Sequence, residues 1–528
     1  MALEKGIYRA FEDIVGPDNI SEEPAILDAY AWTGIVQKEK NSTPAARKQA
    51  GFQRFAVRCE AILLPGETKE VQSIVRLCNK RGLRFKAFST GWIGGNIPSG
   101  PGAVQIDLRR MNRILEINEK NMYAVVEPYV IGAQLQAELM KVGLNCNITG
   151  GGSQTSALPI AAHWGTGHAA HSVSNGERNL LALEWVSPEG DIVRTGSLGS
   201  IDEWFCGDGP GPSFRGIVRG SITPFGGMGV YTRAATKVYY WPGPSMFPVE
   251  GVSPRYRPTE IPPCFMIRYF SFPSMESRAE AMRQISESEI AFELMGFPIP
   301  MIASNMATSN QEEREIFGRL SKEVKGPGFV VIVTGSSERE FSYRTKVLKE
   351  IIEATAGTSL KAMEDPEIGG AQMWRFIRPT ASIRETFRAT GDHSGVFPGH
   401  NEFAPIVRLA RDIAMVKKEL QEKGLLLDDG AEAFPWTEEY GNLSHAEVLY
   451  RFSASPASFE GVRYLNEESI KLAVKERAGV PFFVTGDELH DVFGPVASNY
   501  HVWLRRIKKA FDPNGAADSA SYITARDE

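Results

Sequence analysis

Two glycine-rich stretches, FSTGWIGGN (Phe88–Asn96) and TGGGSQTSALPIAAHWGTGH (Thr149–His168), are the first parts of this sequence with chemistry in them. Successive backbone N–H groups in a tight glycine-rich turn form an anion-binding concavity, which can cradle a pyrophosphate without any lysine. Gly91, Gly94 and Gly95 permit positive φ and close approach of a ligand. His163, His168 and His171 cluster in and just after the second stretch, at a spacing that repeats no metal-ligand pattern. Hydrogen bonding to the loop backbone is the plain alternative for each. GTGHAA (Gly165–Ala170) fits G-x-G-x-x-A, with Glu184 at a suitable distance. That fingerprint requires a helix that starts inside it and runs on, whereas Ser174-Asn175-Gly176 breaks the pattern, so a Rossmann site is set aside.

A second group of reactive residues lies far downstream. RATGDHSGVFPGHNEF holds His393, His400 and Glu402 in one segment punctuated by Gly and Pro. Either histidine suits a general base; a pair of surface loop histidines is the competing reading. His400 and Glu402 alone are too few for a metal site, and none is expected. Arg375, Arg378, Arg384 and Arg388 form a basic run in which one guanidinium, Arg378 foremost, can clamp a carboxylate bidentately. Most charges in such a run are solvated.

The elements that must hold these residues alternate from about Val57. RCEAILLPGET reads as strand and turn, TKEVQSIVRLCNKRG as a helix stopped by Gly82, and LRFKAF as a strand leading into the first loop. AVQIDL, ILEIN and YAVVEP follow as strands, then VIGAQLQAELMKVG as a helix. LLALEWVSP and DIVRTG flank a turn at Glu189-Gly190. Proline density rises near residue 245, marking a domain boundary. Beyond it, SRAEAMRQISESEIAFELMG and FAPIVRLARDIAMVKKELQEKG read as long helices, and NYHVWLRRIKKAFDPNG as an amphipathic helix with a sharp stop. The fold class is α+β.

Composition narrows the partners. With 528 residues and a net charge of −6, nothing favours nucleic acid or an acidic membrane surface. The 5 cysteines include no CxxC pair, which argues against a disulfide framework or a cluster of the chain's own. No apolar window is long enough for a membrane span. MALEKGIYRAFEDIVG reads as an amphipathic helix rather than a signal peptide, and a cytoplasmic protein is expected.

Taken together, LPGETKEVQSIVRLCNKRGL, the first loop, VQIDLRRMNRILEIN, YAVVEPYV, GGGS, LEWVSPEGDIVRTG, GGMGVYTRA and the distal RRIKKAFDPNG resemble the FAD-binding domain of the vanillyl-alcohol oxidase / p-cresol methylhydroxylase superfamily. The resemblance implies a two-subdomain FAD-binding domain over 57–244, after an N-terminal helical segment (1–56). It implies an α+β substrate, or cap, domain over 245–495 and a C-terminal helix (496–528) returning to the FAD domain. The cofactor is then FAD. Its diphosphate is assigned to the backbone of Ser89, Thr90, Gly91, Trp92, Ile93, Gly94, Gly95 and Asn96. Gly152, Ser153, Ala162, His163, Gly165, Gly167 and His168 are placed along the flavin and ribityl chain, with Gly229 and Val230 near the adenine or the ring.

Departures from the family pattern shape the expected chemistry. The first loop has no His, which excludes a histidyl flavin bond from that loop; a cap-domain or second-loop His is the remaining candidate for a covalent link. Phenol-oxidising members carry a Tyr in the first loop and an Asp before GGGS, where this chain has Ile93 and Asn147–Thr149. The leading expectation is dehydrogenation of a small alcohol or hydroxy acid by hydride transfer to flavin N5, with His400 or His393 as base. The alternatives are a 4-alkylphenol or aryl-alcohol oxidase or hydroxylase, and a flavoprotein subunit that passes electrons to a redox partner. The resemblance also leaves room for a homodimer.

Overall fold

A computed structural model describes residues 3–31, 58–91, 97–150, 152–163, 165, 167–196, 214–220, 223–252, 255–324, 326–379, 395–399, 402–453, 455–478 and 486–526. The periodicity of the N-terminal half translates directly into elements. In the helix Thr68–Arg81 the apolar residues Val71, Ile74, Val75 and Cys78 are all buried, while Lys80 and Arg81 sit in the last turn. Gly82, at φ 65°, ends it in the left-handed conformation that a glycine adopts without strain. This helix covers a small sheet in which Ala103–Asp107 is flanked in parallel by Ile62–Leu63 and Arg84–Phe88, with Ile20–Ser21 added antiparallel at one edge.

A second, antiparallel sheet runs in the order Ile192–Arg194, Leu180–Val186, Val230–Lys237, Tyr123–Val126, Ile114–Asn118. The expected hairpin is present, with Val186 opposite Ile192 and Gly190 at φ 89°. Apolar residues shared between the two sheets, including Val104, Ile106, Val186 and Val230, join them into one body.

The C-terminal half is built on a seven-stranded antiparallel sheet ordered Thr358–Ser359, Phe265–Ser271, Gly328–Thr334, Glu293–Gly296, Phe434–Glu438, Leu443–Leu449, Gly395–Val396. Strand side chains alternate between faces. One face, with Phe329, Val331, Ala446 and Val448, packs on the helices Met275–Glu287, Glu338–Ala354, Phe403–Glu422 and Pro456–Glu476. The other face carries Met295, Val330, Ile332, Phe434, Trp436 and Leu449 into a cluster with Met140, Ala169 and Val173 of the N-terminal half. That second face is the one turned toward the glycine loops.

The stretch SRAEAMRQISESEIAFELMG departs from the expected long helix. The helix stops at Glu287, and Glu293–Gly296 is a central strand paired with Gly328–Thr334. Tertiary pairing overrides the local helical pattern here, and Glu289 at φ 50° makes the break.

The distal helix Tyr500–Phe511 and the residues after it return to the first sheet. Phe85 N–H donates to Ala516 O (2.9 Å) and Asp518 N–H donates to Phe85 O (3.0 Å). Arg84 pairs with Asp518 at 2.7 Å, and the buried Lys86 donates to the carbonyls of Asp518 and Ala520. Lys508 pairs with Asp512 and donates to Gly227 O and Ala517 O, all inside the protein.

Candidate functional site

The first glycine loop leaves the strand Arg84–Phe88 at Ser89. Gly91 has φ 70°, and a Cβ there would lie 2.4 Å from the Phe88 ring. Thr90 Oγ1 accepts from Ser156 Oγ at 3.3 Å, which ties the first loop to the second. Trp92, Ile93, Gly94, Gly95 and Asn96 lie outside the described residues.

The second loop is pinned by a short ladder, Ile148–Thr149 against Gly167–His168. The approach is so close that a Cβ on Gly167 would lie 2.0 Å from Ile148 O. Gly152, at φ 124°, opens the turn that follows, and Ser153 N–H donates to Pro379 O of the C-terminal half at 2.8 Å. Gly165 packs on the helix Ala157–Ala162, where a Cβ would lie 2.5 Å from Ile160 Cγ2. Ala162 is buried in that helix, and His163 ends it with its ring edge-on to Phe225. Gly229 (φ 103°) and Val230 open the strand beside Val186, and the Val230 side chain is buried in the core.

His168 and the arginine run meet. Arg375 Nη1 is 3.0 Å from His168 Nε2, with both side chains buried. Arg378, one turn on, points elsewhere: it donates to Ala133 O at 3.3 Å and reaches Met140 Sδ at 3.5 Å, stitching the two halves together. His171 is also buried and its Nδ1 contacts Thr437 Oγ1 at 2.9 Å; burial pushes its pKa down to about 3, so the ring is neutral. Beside it, Glu293 receives N–H bonds from Ala169 and Leu294. Burial, together with the neighbouring charge of Glu438, pushes the Glu293 carboxyl up to about 8 against the pull of those bonds.

His393 and His400 lie outside the described residues. Glu402 is exposed and precedes the helix Phe403–Glu422. The structure instead presents a pair that the sequence reading missed. His445 and Glu447, on the strand Leu443–Leu449, approach at 3.4 Å between Nε2 and Oε1, and His445 Nδ1 lies 3.2 Å from Pro398 O. Trp436, the cross-strand partner of His445, stacks on the imidazole, and its far edge reaches Gly150, where a Cβ would lie 3.6 Å from Trp436 Cη2. Phe397 lies nearly parallel to the imidazole at 6.3 Å. The signal was available in LSHAEVLYRF, whose alternation puts His445, Glu447 and Arg451 on one face and Ala446, Val448 and Tyr450 on the other. Tyr450 accordingly lies in the helix-side core, and Arg451 lines a small cavity with Ser304 and Asp429. Among the described residues no group of three or more His, Cys, Asp or Glu is placed to hold a metal ion, and no helix is long and apolar enough to cross a membrane.

Residues 59–196 match the model of an FAD binding domain. The whole fold is similar to that of p-cresol methylhydroxylase with substrate bound, with a TM-score of 0.75 at 17% identity, covering 100% of this chain and 99% of that one. The chain therefore carries an FAD binding domain over residues 59–196 and has the fold of p-cresol methylhydroxylase. Its cofactor is FAD. Among curated relatives of this flavoprotein, 1'-carboxy-chondrochloren decarboxylase of Chondromyces crocatus is 33% identical over 36% of this chain and 36% of its own length. A probable mitochondrial D-lactate dehydrogenase of Danio rerio is 22% identical over 63% of this chain and 60% of its own length. The chain thus spans about a third to three-fifths of the length of these two proteins.

The residues present fit the cofactor. In the second loop Gly152 (φ 124°) and Gly165 (φ 45°) hold backbone conformations that side chains rarely adopt, and the hydroxyls of Thr90 and Ser156 meet between the two loops. Such a donor set suits a diphosphate and an electron-rich ring.

Proposed function

We propose that this flavoprotein dehydrogenates a small alcohol or hydroxy acid at a carbon bearing a hydroxyl group. The observation that carries the reading is the buried His445–Glu447 pair on the sheet face turned toward the glycine loops. Ser89–Asn96 would hold the diphosphate, and Gly152, Ser153, Ala162, His163, Gly165, Gly167 and His168 would line the ribityl chain and ring, with Gly229 and Val230 alongside. When bound, FAD supplies the hydride acceptor.

The protein's part is to take the hydroxyl proton. With Nδ1–H donated to Pro398 O, the basic nitrogen of His445 is Nε2. Glu447 Oε1, 3.4 Å away, stabilises a proton received there by forming an ion pair with the imidazolium. Burial strengthens that attraction, since the effective dielectric is low. Trp436 fixes the ring plane, and its far edge lies against Gly150.

The relatives' names bear on the substrate class, since they include a D-lactate dehydrogenase and a decarboxylase of a carboxylated compound. A second reading, oxidation of a 4-alkylphenol, is favoured by the aromatic layer of Trp436 and Phe397 and by the likeness to p-cresol methylhydroxylase. Anaerobic stopped-flow bleaching of the bound flavin by 2-hydroxy acids, primary alcohols and 4-alkylphenols decides between them. Bleaching by the hydroxy compounds alone supports the leading reading, and bleaching by alkylphenols alone replaces it. Reoxidation by O2 marks an oxidase; reoxidation only by dyes or a redox protein marks a dehydrogenase with a partner.

A further inference from the structure

The first glycine loop is reached by a side chain that precedes the residues matching the FAD binding domain. Tyr30 ends the helix Pro24–Tyr30, and its ring lies 5.1 Å from that of Phe88, inclined by 60°. Phe88 is the last residue of the strand that launches the loop. Its ring in turn lies against Gly91, since a Cβ there would come within 2.4 Å of Phe88 Cζ. Two aromatic rings thus stand in series between the N-terminal helix and a glycine at φ 70°.

The hydroxyl anchors the first of those rings. Tyr30 O–H donates to Asp107 Oδ2 at 2.5 Å, and Arg109 Nη2 donates to the Tyr30 oxygen at 2.8 Å. Arg109 also donates to Asp107 through Nε (2.8 Å) and through its backbone N–H (2.9 Å). Asp107 is buried and stands opposite Phe88 in the parallel ladder. Burial and the Asp107 carboxylate push the Tyr30 pKa up, which keeps the phenol a donor. One side chain therefore grips both strands at the point where the loop departs.

Other contacts already seat the helix. Leu27 packs with Cys59 and Ile62, and Arg58 Nη2 donates to Asp28 Oδ2 at 2.7 Å. The ring contact with Phe88 is additional to these, and it leads to the loop.

We propose that Tyr30 is a positioning residue that, through Phe88, holds the backbone of Ser89, Thr90 and Gly91 in the conformation that receives the FAD diphosphate. The inference rests on the reading of the first glycine loop as the seat of that diphosphate. A turn containing glycine loses much conformational freedom when it orders, so ordering it in advance lowers the cost of binding.

Amide hydrogen exchange, followed by mass spectrometry, tests the loop directly. In the wild type, bound FAD is expected to slow exchange at Ser89, Thr90 and Gly91. In FAD-loaded Tyr30→Leu, the same amides are expected to exchange about threefold to tenfold faster, the usual worth of an aromatic contact. Exchange in the helix Thr68–Arg81, which covers the same sheet, should not change. Tyr30→Phe keeps the ring and is expected to lie closer to the wild type than to Tyr30→Leu. The FAD dissociation constant of Tyr30→Leu, titrated on FAD-free protein, should rise by a similar factor.

Equal acceleration in Thr68–Arg81 would mean a general loosening of the sheet and overturn the positioning role. Equal acceleration in Tyr30→Phe would assign the effect to the hydroxyl and overturn the route through Phe88. An unmoved dissociation constant despite faster exchange overturns the link to binding. Where Tyr30→Leu does not fold, Phe88→Leu removes the middle ring and should speed the same three amides; unmoved exchange there overturns the proposal. The wild type separates the two levels of failure. If FAD leaves the three amides unprotected, the loop reading falls and the proposal with it; if FAD protects them while both leucine variants leave them unmoved, only the proposal falls.

Discussion

Trp436 and His445 lie face to face across two antiparallel strands, ring centroids 4.9 Å apart and planes inclined by 19°. A ring held flat by its cross-strand neighbour aims its two nitrogens in fixed directions, one at Pro398 O and one at Glu447. Orientation of this kind turns an imidazole into an effective base.

Replacing the proposed base should therefore cost rate more than affinity. His445→Ala is expected to slow substrate-dependent flavin reduction by about 10²–10⁴-fold, the usual worth of a positioned base. Glu447→Gln should slow it less, because the imidazole stays in place. Anaerobic stopped-flow gives both the limiting rate and the apparent Kd, and an unchanged limiting rate in His445→Ala removes the residue from the reaction.

Space at the second loop is equally testable. Gly167→Val places a Cβ 2.0 Å from Ile148 O and 2.5 Å from Thr149 Cα, so the ladder that shapes the loop has to open. The purified variant is expected to carry FAD at a small fraction of the wild-type ratio, read from visible absorbance against protein concentration. Far-UV circular dichroism should stay near the wild type.

Glu293 gives a pH dependence of defined sign. Its folded pKa, about 8, lies above the ordinary carboxyl value of 4.5. Below pH 4.5 both the folded and unfolded chains hold the proton, and nothing is lost. As pH rises from 4.5 toward 8 the unfolded chain ionises while the folded one does not, so stability falls through that window and levels off above it. Glu293→Gln removes this loss. Its Tm advantage over the wild type should grow between pH 5 and pH 8, whereas a constant difference would mean that Glu293 is ionised in the folded protein.

Lys508 and Asp512 form a buried ion pair under the first sheet. Lys508→Met strands the carboxylate along with the Gly227 and Ala517 carbonyls. The expected destabilisation is about 3–5 kcal/mol, the cost of leaving a buried charge unpaired. Urea unfolding checks it, and a midpoint within error of the wild type would show that water reaches Asp512.

The helices and the two N-terminal sheets were legible because local rules set them: buried residues three and four apart in Thr68–Arg81, and glycines at positive φ where Gly82 and Gly190 end or turn an element. The helix-to-strand change before Glu293 was not, because strand pairing with a segment nearly forty residues later decides it. The site divides in the same way. The glycine loops announce themselves by composition. The Arg375–His168 contact spans 207 positions and belongs to tertiary packing alone. His445 and Glu447 sat in plain view as alternating polar residues, a pattern that ordinarily marks a strand face turned to water; here that face is buried against the other half of the molecule.

The pairing of Arg84 with Asp518 has a consequence for the order of events in the cell. The strand that launches the first glycine loop leaves the ribosome 434 residues before the segment that completes its edge. At roughly 5–20 residues per second, this interval lasts roughly 20–90 s. During that time the nascent N-terminal half waits with that strand edge unpaired. With FAD seated as proposed, a chain truncated before Asp518 lacks the partner of Arg84 and Ser99 beside the first loop and should purify colourless.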